Sequence, residues 1–508
     1  MSMKQFNPAD WHRFGEWPGI LILDLCSWYS PVSSLRFKEL VGFGQETLVT
    51  VDKDKTEYLY FSKRFMQKLE NWLDEKLSTR HGQEQLLTLL KTFLTEQKKA
   101  LSGLSKLDEI EWHNLDNESL ALHYQEGLKL IQRITPYDQL PFIGDSLATR
   151  KLEEYLKKEL KKQGRENEVA KCMEIAATPR LFTFTQREEE ALLKTALEIL
   201  DSHKTGSLNI MPGEVLKKFH PQASRLVEGF GWMPVFHFNK PWNEQDYAEE
   251  LSETLRDGRT ALEKKFNMLT SLPKRVEGEW NKESDGFEPS LLPEIMQYFV
   301  FDRNEEELTL SYGHAKLAKC YAEMAKRLGI AIEQMRRLRE DEVRSFLTSG
   351  ENPAKLVNER MAHGAGFYVN ESGYAMLDEN EFQSMFEVHE KTTASKEGVE
   401  KTKVLRGITA SGGKASGIVH VIDRLEEIHN FKSGEILVAH STTVDYLPAM
   451  KKAAAFIAEM GGITSHTAVV AREFSTPCIV GVKGAMKLLK NGQRIEVNAD
   501  KGIIKIQE

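Results

Sequence analysis

From about Ser62 onward the apolar residues fall at helical spacing. Phe65, Met66, Leu69, Trp72, Leu73 and Leu77 recur at i, i+3, i+4 and i+7, the stripe of an amphipathic helix. The same period returns over 84–101, 117–134, 149–163, 186–202, 243–269 and 308–328, so helices are predicted to dominate to about residue 350. Upstream the pattern is mixed. Gly19 to Leu25 is a short apolar run, and residues 46–61 alternate β-branched and aromatic positions with polar ones around Asp52-Lys53-Asp54, which predicts a hairpin. Residues 368–386 read as short strands or turns, and no fixed-period repeat is present.

Residues 390–403 (EKTTASKEGVEKTK) are polar and lack large apolar side chains, as a hydrated linker does. Beyond them short β-like runs at 417–422, 435–438, 453–457, 479–482, 494–497 and 503–506 alternate with helical patterns at 448–455 and 467–474. The predicted architecture is multidomain: a mainly α-helical N-terminal region followed by a compact α/β domain. Its expected parts are a mixed α/β segment at 1–62, a mainly helical domain at 63–389, the linker at 390–403 and the α/β domain at 404–508.

Composition narrows the function classes. Hydrophobic residues make up 41% and charged residues 28% of the 508, a soluble globular mixture. The net charge of −8 lacks the basic footprint that nucleic-acid binding needs. Cys26, Cys172, Cys320 and Cys478 are scattered and form no CxxC pair, which argues against a zinc ribbon or a disulfide framework and for reduced thiols in the cytoplasm. No signal-like segment and no membrane-length apolar run is expected.

The informative string is Gly461-Gly462-Ile463-Thr464-Ser465-His466-Thr467-Ala468-Val469-Val470-Ala471-Arg472-Glu473. An apolar strand leads into a Gly-Gly turn, then a hydroxyl-rich step, then His466 at a helix start. Glycines allow a sharp turn and close approach of a bulky group. A helix start offers unpaired N–H groups and the positive end of the dipole, a ready anion site. A histidine there is placed to carry a phosphoryl group, with Gly461, Gly462, Thr464 and Ser465 around its oxygens. The dipole is also expected to disfavour imidazolium and so favour the neutral nucleophile. A lone histidine would by default be a cap or a core residue; the surrounding string outweighs that here.

The string resembles the phosphohistidine signature of the phosphoenolpyruvate-utilising enzymes, the family of phosphoenolpyruvate synthase, pyruvate phosphate dikinase, rifampin phosphotransferase and phenylphosphate synthase. The resemblance extends over 404–508. It is carried also by Gly407 to Gly417, by Gly434-Glu435-Ile436-Leu437-Val438, by Thr442 to Met450 and by Thr476-Pro477-Cys478-Ile479-Val480-Gly481. Val444 stands where proline is usual, and Ala458-Glu459-Met460 where Thr-Asp-Glu or Thr-Glu is common. The resemblance implies a swivelling phosphohistidine domain with His466 as the covalent carrier and Arg472 facing phosphate, although at i+6 Arg472 lies on another helix face from His466.

In that family the swivelling domain visits an ATP-grasp site and an acceptor site. The chain ends at Glu508, directly after the last expected strand, so a downstream acceptor barrel is not expected. No P-loop and no GxGxxG is found before residue 390. ATP and Mg²⁺ are therefore expected at a separate ATP-grasp subunit, with no metal bound by this chain, no nucleic acid and no membrane partner. The helical domain is then the acceptor-binding domain for a small organic molecule, with a weaker resemblance over 332–361 to rifampin phosphotransferase-like proteins. The aromatic stretch from Pro212 to Trp242 is the candidate acceptor site, through Trp232, Trp242 and the possible bases His220 and His237; individually these residues are more often core. The alternatives are a signalling phosphocarrier and a non-catalytic binding scaffold.

Overall fold

The helical region is organised around one sheet and one long helix, with a second core where the Phe184–Ser202 helix packs on the helices that follow it. The computed structural model describes residues 7–18, 21–52, 56–238, 240–385, 404–423, 425–442, 446–463 and 465–507. The hairpin expected around Asp52 forms from β2 (Thr47–Val51) and β3 (Thr56–Ser62), paired antiparallel with Val49 opposite Leu59. With β1 (Trp11–Pro18), β4 (Ala365–Asn370) and β5 (Gly373–Met376) they make a five-stranded antiparallel sheet in the order β1-β3-β2-β4-β5. Residues 1–62 are thus not a separate unit. Their sheet is completed by β4, from the far end of the helical region, because Phe367 and Val369 bury beside Val49 and Leu59 in one core.

Against this sheet lie the helices. Lys63–Ser78, Arg80–Ser105, Asn117–Gln132 and Phe184–Ser202 match the expected stripes, with ends that differ by up to four residues; Asn117–Gln132 stops two residues short. Three differ. The period over 243–269 is two helices, Glu244–Asp257 and Arg259–Glu283, because Gly258 adopts φ 82° and breaks the run. The 149–163 stripe is the second half of a helix from Thr135 to Lys162 that passes through Pro141. The 308–328 stripe is the second half of the long helix Leu292–Leu328, whose middle, Asp302-Arg303-Asn304-Glu305-Glu306-Glu307, has no apolar period to read. Asp302, Asn304, Glu305 and Glu306 are nevertheless buried, since other elements cover the long helix on all sides. The 212–242 stretch is a kinked helix, Pro212–Phe230, and a 3₁₀ turn, Met233–Phe238.

The residues of the expected linker, 390–403, lie outside the described residues. After them β6 (Val404–Arg406), β7 (Ile408–Ser411), β8 (Lys414–Ile422), β9 (Ile436–Ala439), β10 (Ala455–Ala458), β11 (Cys478–Val480), β12 (Arg494–Asn498) and β13 (Ile503–Ile506) form one eight-stranded sheet, ordered β6-β13-β12-β8-β9-β10-β11-β7. The β8-β9-β10-β11 centre is parallel. Strands ILVA (β9), AFIA (β10) and CIV (β11) are buried at every position, as parallel strands covered on both faces must be. The helix His466–Glu473 is the crossover between β10 and β11, so it starts at the carboxyl end of a central strand, where α/β sheets place their ligands. No helix among the described residues is long and apolar enough to cross a membrane.

The α/β domain sits on the helical region. Ile463 and Val469 enter the core that contains Leu140, Ile143 and Leu147 of the Thr135–Lys162 helix. Met233 and Leu308 enter a core otherwise built from the α/β domain, including Phe456, Val470 and Ala471. Phe299 of the long helix is fully buried at the centre of the helical region, and its ring touches the space that a Cβ on Gly144 would need. Phe299→Ala is expected to lower unfolding free energy by about 3–5 kcal/mol through the cavity it leaves, measured as a fall in the denaturant midpoint.

Candidate active site

His466 is the first residue of its helix, with Ser465 as N-cap. The Ser465 hydroxyl donates to the Gly462 carbonyl at 2.8 Å and accepts from Ala468 N at 3.4 Å, which closes the turn. Gly461 has φ 105°, a conformation that L side chains rarely adopt, and a Cβ there would also strike Ser465. Gly462 serves a different close approach: a Cβ on it would lie 2.6 Å from Asp145 Oδ2 of the Thr135–Lys162 helix. The glycine pair shapes the turn and lets it press against the helical region.

The imidazole is 9% exposed. Its Nδ1 lies 3.0 Å from Thr442 Oγ1, and Thr442 Oγ1 lies 2.9 Å from Thr467 Oγ1. Thr442 Oγ1 thus bridges Nδ1 and Thr467 Oγ1 and holds the ring through Nδ1. Nε2 is buried and has no hydrogen-bond partner among the described residues. Burial first, and then the positive charge of Arg303 on the long helix, lower the His466 pKa from 6.5 to about 3. The expected direction is found; its first cause is desolvation, with the helical region's arginine adding to it. Arg303 stacks over Phe142, with its guanidinium carbon 5.2 Å from the ring centroid. The nucleophilic nitrogen is thus neutral and unpaired, with a cation of the helical region nearby.

The other expected phosphate ligands divide. Gly461, Gly462 and Ser465 form the turn before His466, with the Ser465 hydroxyl committed to capping. Thr464 lies outside the described residues. Arg472 is not brought to His466. Six positions along the helix place it about 9 Å further up the axis, and its Nη1 donates to the Ala410 carbonyl at 3.1 Å. Burial lowers its pKa to about 10 against the pull of Glu174. Its neighbour Glu473 accepts from Thr183 Oγ1 at 2.8 Å, and burial raises its pKa to about 8. Glu305, raised to about 7 by burial, accepts from Phe184 N at 2.6 Å.

The four acceptor-site candidates do not converge. Trp232 donates from Nε1 to the Gly229 carbonyl at 2.7 Å and packs edge-on to Phe184 and Tyr312. With Trp242, which stands edge-on to Tyr247, it lines the core shared with the α/β domain. These indoles are packing groups of the seam. His220 is exposed, and the side chain of His237 lies outside the described residues. No group of three or more His, Cys, Asp or Glu placed to hold a metal occurs among the described residues.

Sequence reasoning missed Thr442, Arg303, Phe142 and Asp145. Thr442 stands in a segment whose resemblance was noted, but only the folded β9–β10 layer shows that it reaches His466. Arg303 had a visible signal in the charged run that interrupts a long helix.

Residues 431–502 match the family described as PEP-utilising enzyme, mobile domain. The C-terminal domain is therefore a mobile domain of the phosphoenolpyruvate-utilising enzymes. The chain is 45% identical over 118 residues to a probable phosphoenolpyruvate synthase of Archaeoglobus fulgidus, 45% over 116 residues to the phosphoenolpyruvate synthase of Pyrococcus furiosus and 42% over 116 residues to that of Helicobacter pylori. Each stretch is 23% of this chain and covers 16%, 14% and 14% of those proteins, so this chain spans only a small part of the curated relatives it matches. Among solved structures, an aconitase X of Thermococcus kodakaraensis in its holo form aligns with 21% of this chain and 100% of its own at 24% identity, with a TM-score of 0.18, too slight a likeness to bear on fold or function.

Between pH 6.5 and about 3 the unfolded chain takes up a proton on residue 466 that the folded chain does not. The stability tied to this site is complete above pH 6.5 and falls as the pH drops toward 3. The ring ¹⁵N shifts of His466 are expected to stay those of a neutral imidazole down to about pH 4, and His466→Gln is expected to flatten the pH dependence of the unfolding midpoint over that range.

Proposed function

We propose that the protein is a phosphotransferase, or the phosphocarrier subunit of one, that relays a phosphoryl group through His466 Nε2. The observation that carries this reading is the state of that imidazole: neutral, held through Nδ1 by Thr442, with Nε2 buried and unpaired at a helix N-terminus. The names of the phosphoenolpyruvate synthases matched by the C-terminal domain support the reaction class.

In the first half-reaction the Nε2 lone pair attacks the terminal phosphorus of ATP. The bond to the ADP oxygen breaks, and Mg²⁺ at the donor site offsets the charge. The donor site belongs to a separate ATP-grasp subunit, to which the domain swings. In the second half-reaction a hydroxyl of a small organic acceptor, bound by the helical region, attacks phosphorus. The N–P bond breaks, the hydroxyl proton passes to a base, and the imidazole returns neutral. Arg303, brought close to His466 in the docked arrangement, balances the charge of the phosphoryl group as it transfers. The acceptor lies where the Thr135–Lys162 helix and the long helix meet the Gly461–His466 turn, around Phe142, Asp145 and Arg303. This replaces the Trp232–Trp242 region as the station.

The test is incubation with γ-labelled ATP, alone and with the ATP-grasp partner, and in parallel with labelled phosphoenolpyruvate. Acid-labile, alkali-stable label that disappears in His466→Ala is expected. No label with any donor sinks the proposal, and label that no small molecule in a cell extract discharges favours a signalling carrier instead. In a chain that labels normally, Arg303→Met is expected to slow discharge to the acceptor by roughly 100-fold, read as the single-turnover rate of label loss.

A further inference from the structure

The seam between the α/β domain and the helical region has a second polar contact, on the short Leu447–Met450 helix and its end rather than at His466. Lys451 projects from the α/β domain into three carboxylates of the helical region. Its Nζ donates to Glu188 Oε2 at 2.8 Å and Glu250 Oε2 at 3.0 Å, and Glu189 Oε2 lies at 3.8 Å. The next residue, Lys452, donates to Glu253 at 3.1 Å. The carboxylates come from two helices, Phe184–Ser202 and Glu244–Asp257. The Lys451 side chain is 13% exposed and that of Glu188 is 0% exposed.

Two lysines face four glutamates, and Lys265 brings a third positive charge to Glu189. Burial raises the Glu188 pKa to about 7 and shifts Glu189 in the same direction, and Tyr247 lies beside Glu188 and Glu250. A buried ammonium in such a place is held firmly, because removing either partner strands the other out of water. Hydration limits the hold: when the lysine leaves, both it and the glutamates regain water, which offsets much of the lost attraction. A contact of this kind is firm and still reversible, which a tethered moving domain requires.

We propose that Lys451 is the latch that holds the α/β domain on the helical region, and that its withdrawal from the Glu188–Glu189–Glu250 socket is the step that frees the domain to leave. This rests on the reading of the domain as mobile, but the latch acts whether or not His466 carries phosphate. The contact beside Arg303 senses the phosphoryl group, while the Lys451 contact sets the docked fraction of the empty carrier.

Spin labels on Lys217→Cys and Lys490→Cys, both exposed positions, report the distance between the two parts; the four native cysteines are fully buried and stay unlabelled. In the otherwise native protein the docked distance is expected to lose population as KCl rises from about 50 mM to about 1 M. Lys451→Met is expected to lower the docked-to-undocked ratio at least about tenfold. The triple variant Lys451→Met/Glu188→Gln/Glu250→Gln is expected to restore docking and to abolish its salt dependence. An unchanged distance distribution in Lys451→Met overturns the latch. So does a native distribution indifferent to salt, which remains measurable if Lys451→Met fails to fold. The ATP-labelling assay reads the relay without reference to these distances, so failure of the relay and failure of the latch read out separately.

Discussion

The site at His466 depends on keeping one imidazole out of water without charging it. Desolvation alone makes a histidine neutral, but it does not choose which nitrogen is engaged. Thr442 makes that choice by bonding Nδ1, and its contact with Thr467 fixes the threonine in place. The rest of the site follows. The Gly461–Gly462 turn has to be narrow so that the imidazole can be pressed against the helical region, and Ser465 closes that turn as the helix cap. Burial of His466 is shared between two folding units, so its nucleophilic state belongs to the docked arrangement and not to the α/β domain by itself.

The two units are joined by contacts of unlike kind. Apolar packing of Met233, Leu308 and the indoles of Trp232 and Trp242 supplies area. Polar groups supply position: Lys451 in its acidic socket, Glu473 on Thr183, and Glu174 on the Gly412 amide at 3.3 Å. Apolar contact is weakly sensitive to geometry, whereas hydrogen bonds are satisfied only in one registration. The combination fixes a single registration of the two units.

The α/β domain was legible in the sequence because its signals are local. A strand, a Gly-Gly turn, a cap and a helix follow one another within nineteen residues, Ala455 to Glu473, and short apolar runs bounded by turns read directly as buried strands. The helical stripes were legible for the same reason. What escaped was non-local. β4 reads as an ambiguous apolar run until β2 is beside it. The first half of the long helix hides behind Asp302 to Glu307, charges whose burial no periodicity foretells. Arg472 carried a motif resemblance yet points to the Ala410 carbonyl, since a side chain six residues along a helix is governed by what packs there. Trp232 and Trp242 looked like a ligand pocket because aromatic composition is the same for a pocket wall and for a seam between two bodies.

The pairing of β2 with β4 also governs how the chain comes off the ribosome. Roughly three hundred residues separate Val51 from its partner Ala365, which at typical synthesis rates is about 15 to 60 s of elongation. Over that interval β2 and β3 exist as a hairpin with one unpaired edge, and an open edge of apolar strand is a template for the wrong partner. The helices made in the meantime have to gather around an unfinished sheet. β4 is thus a closing staple for the helical region, made shortly before the α/β domain, so that domain emerges only after the surface it packs on has been sealed.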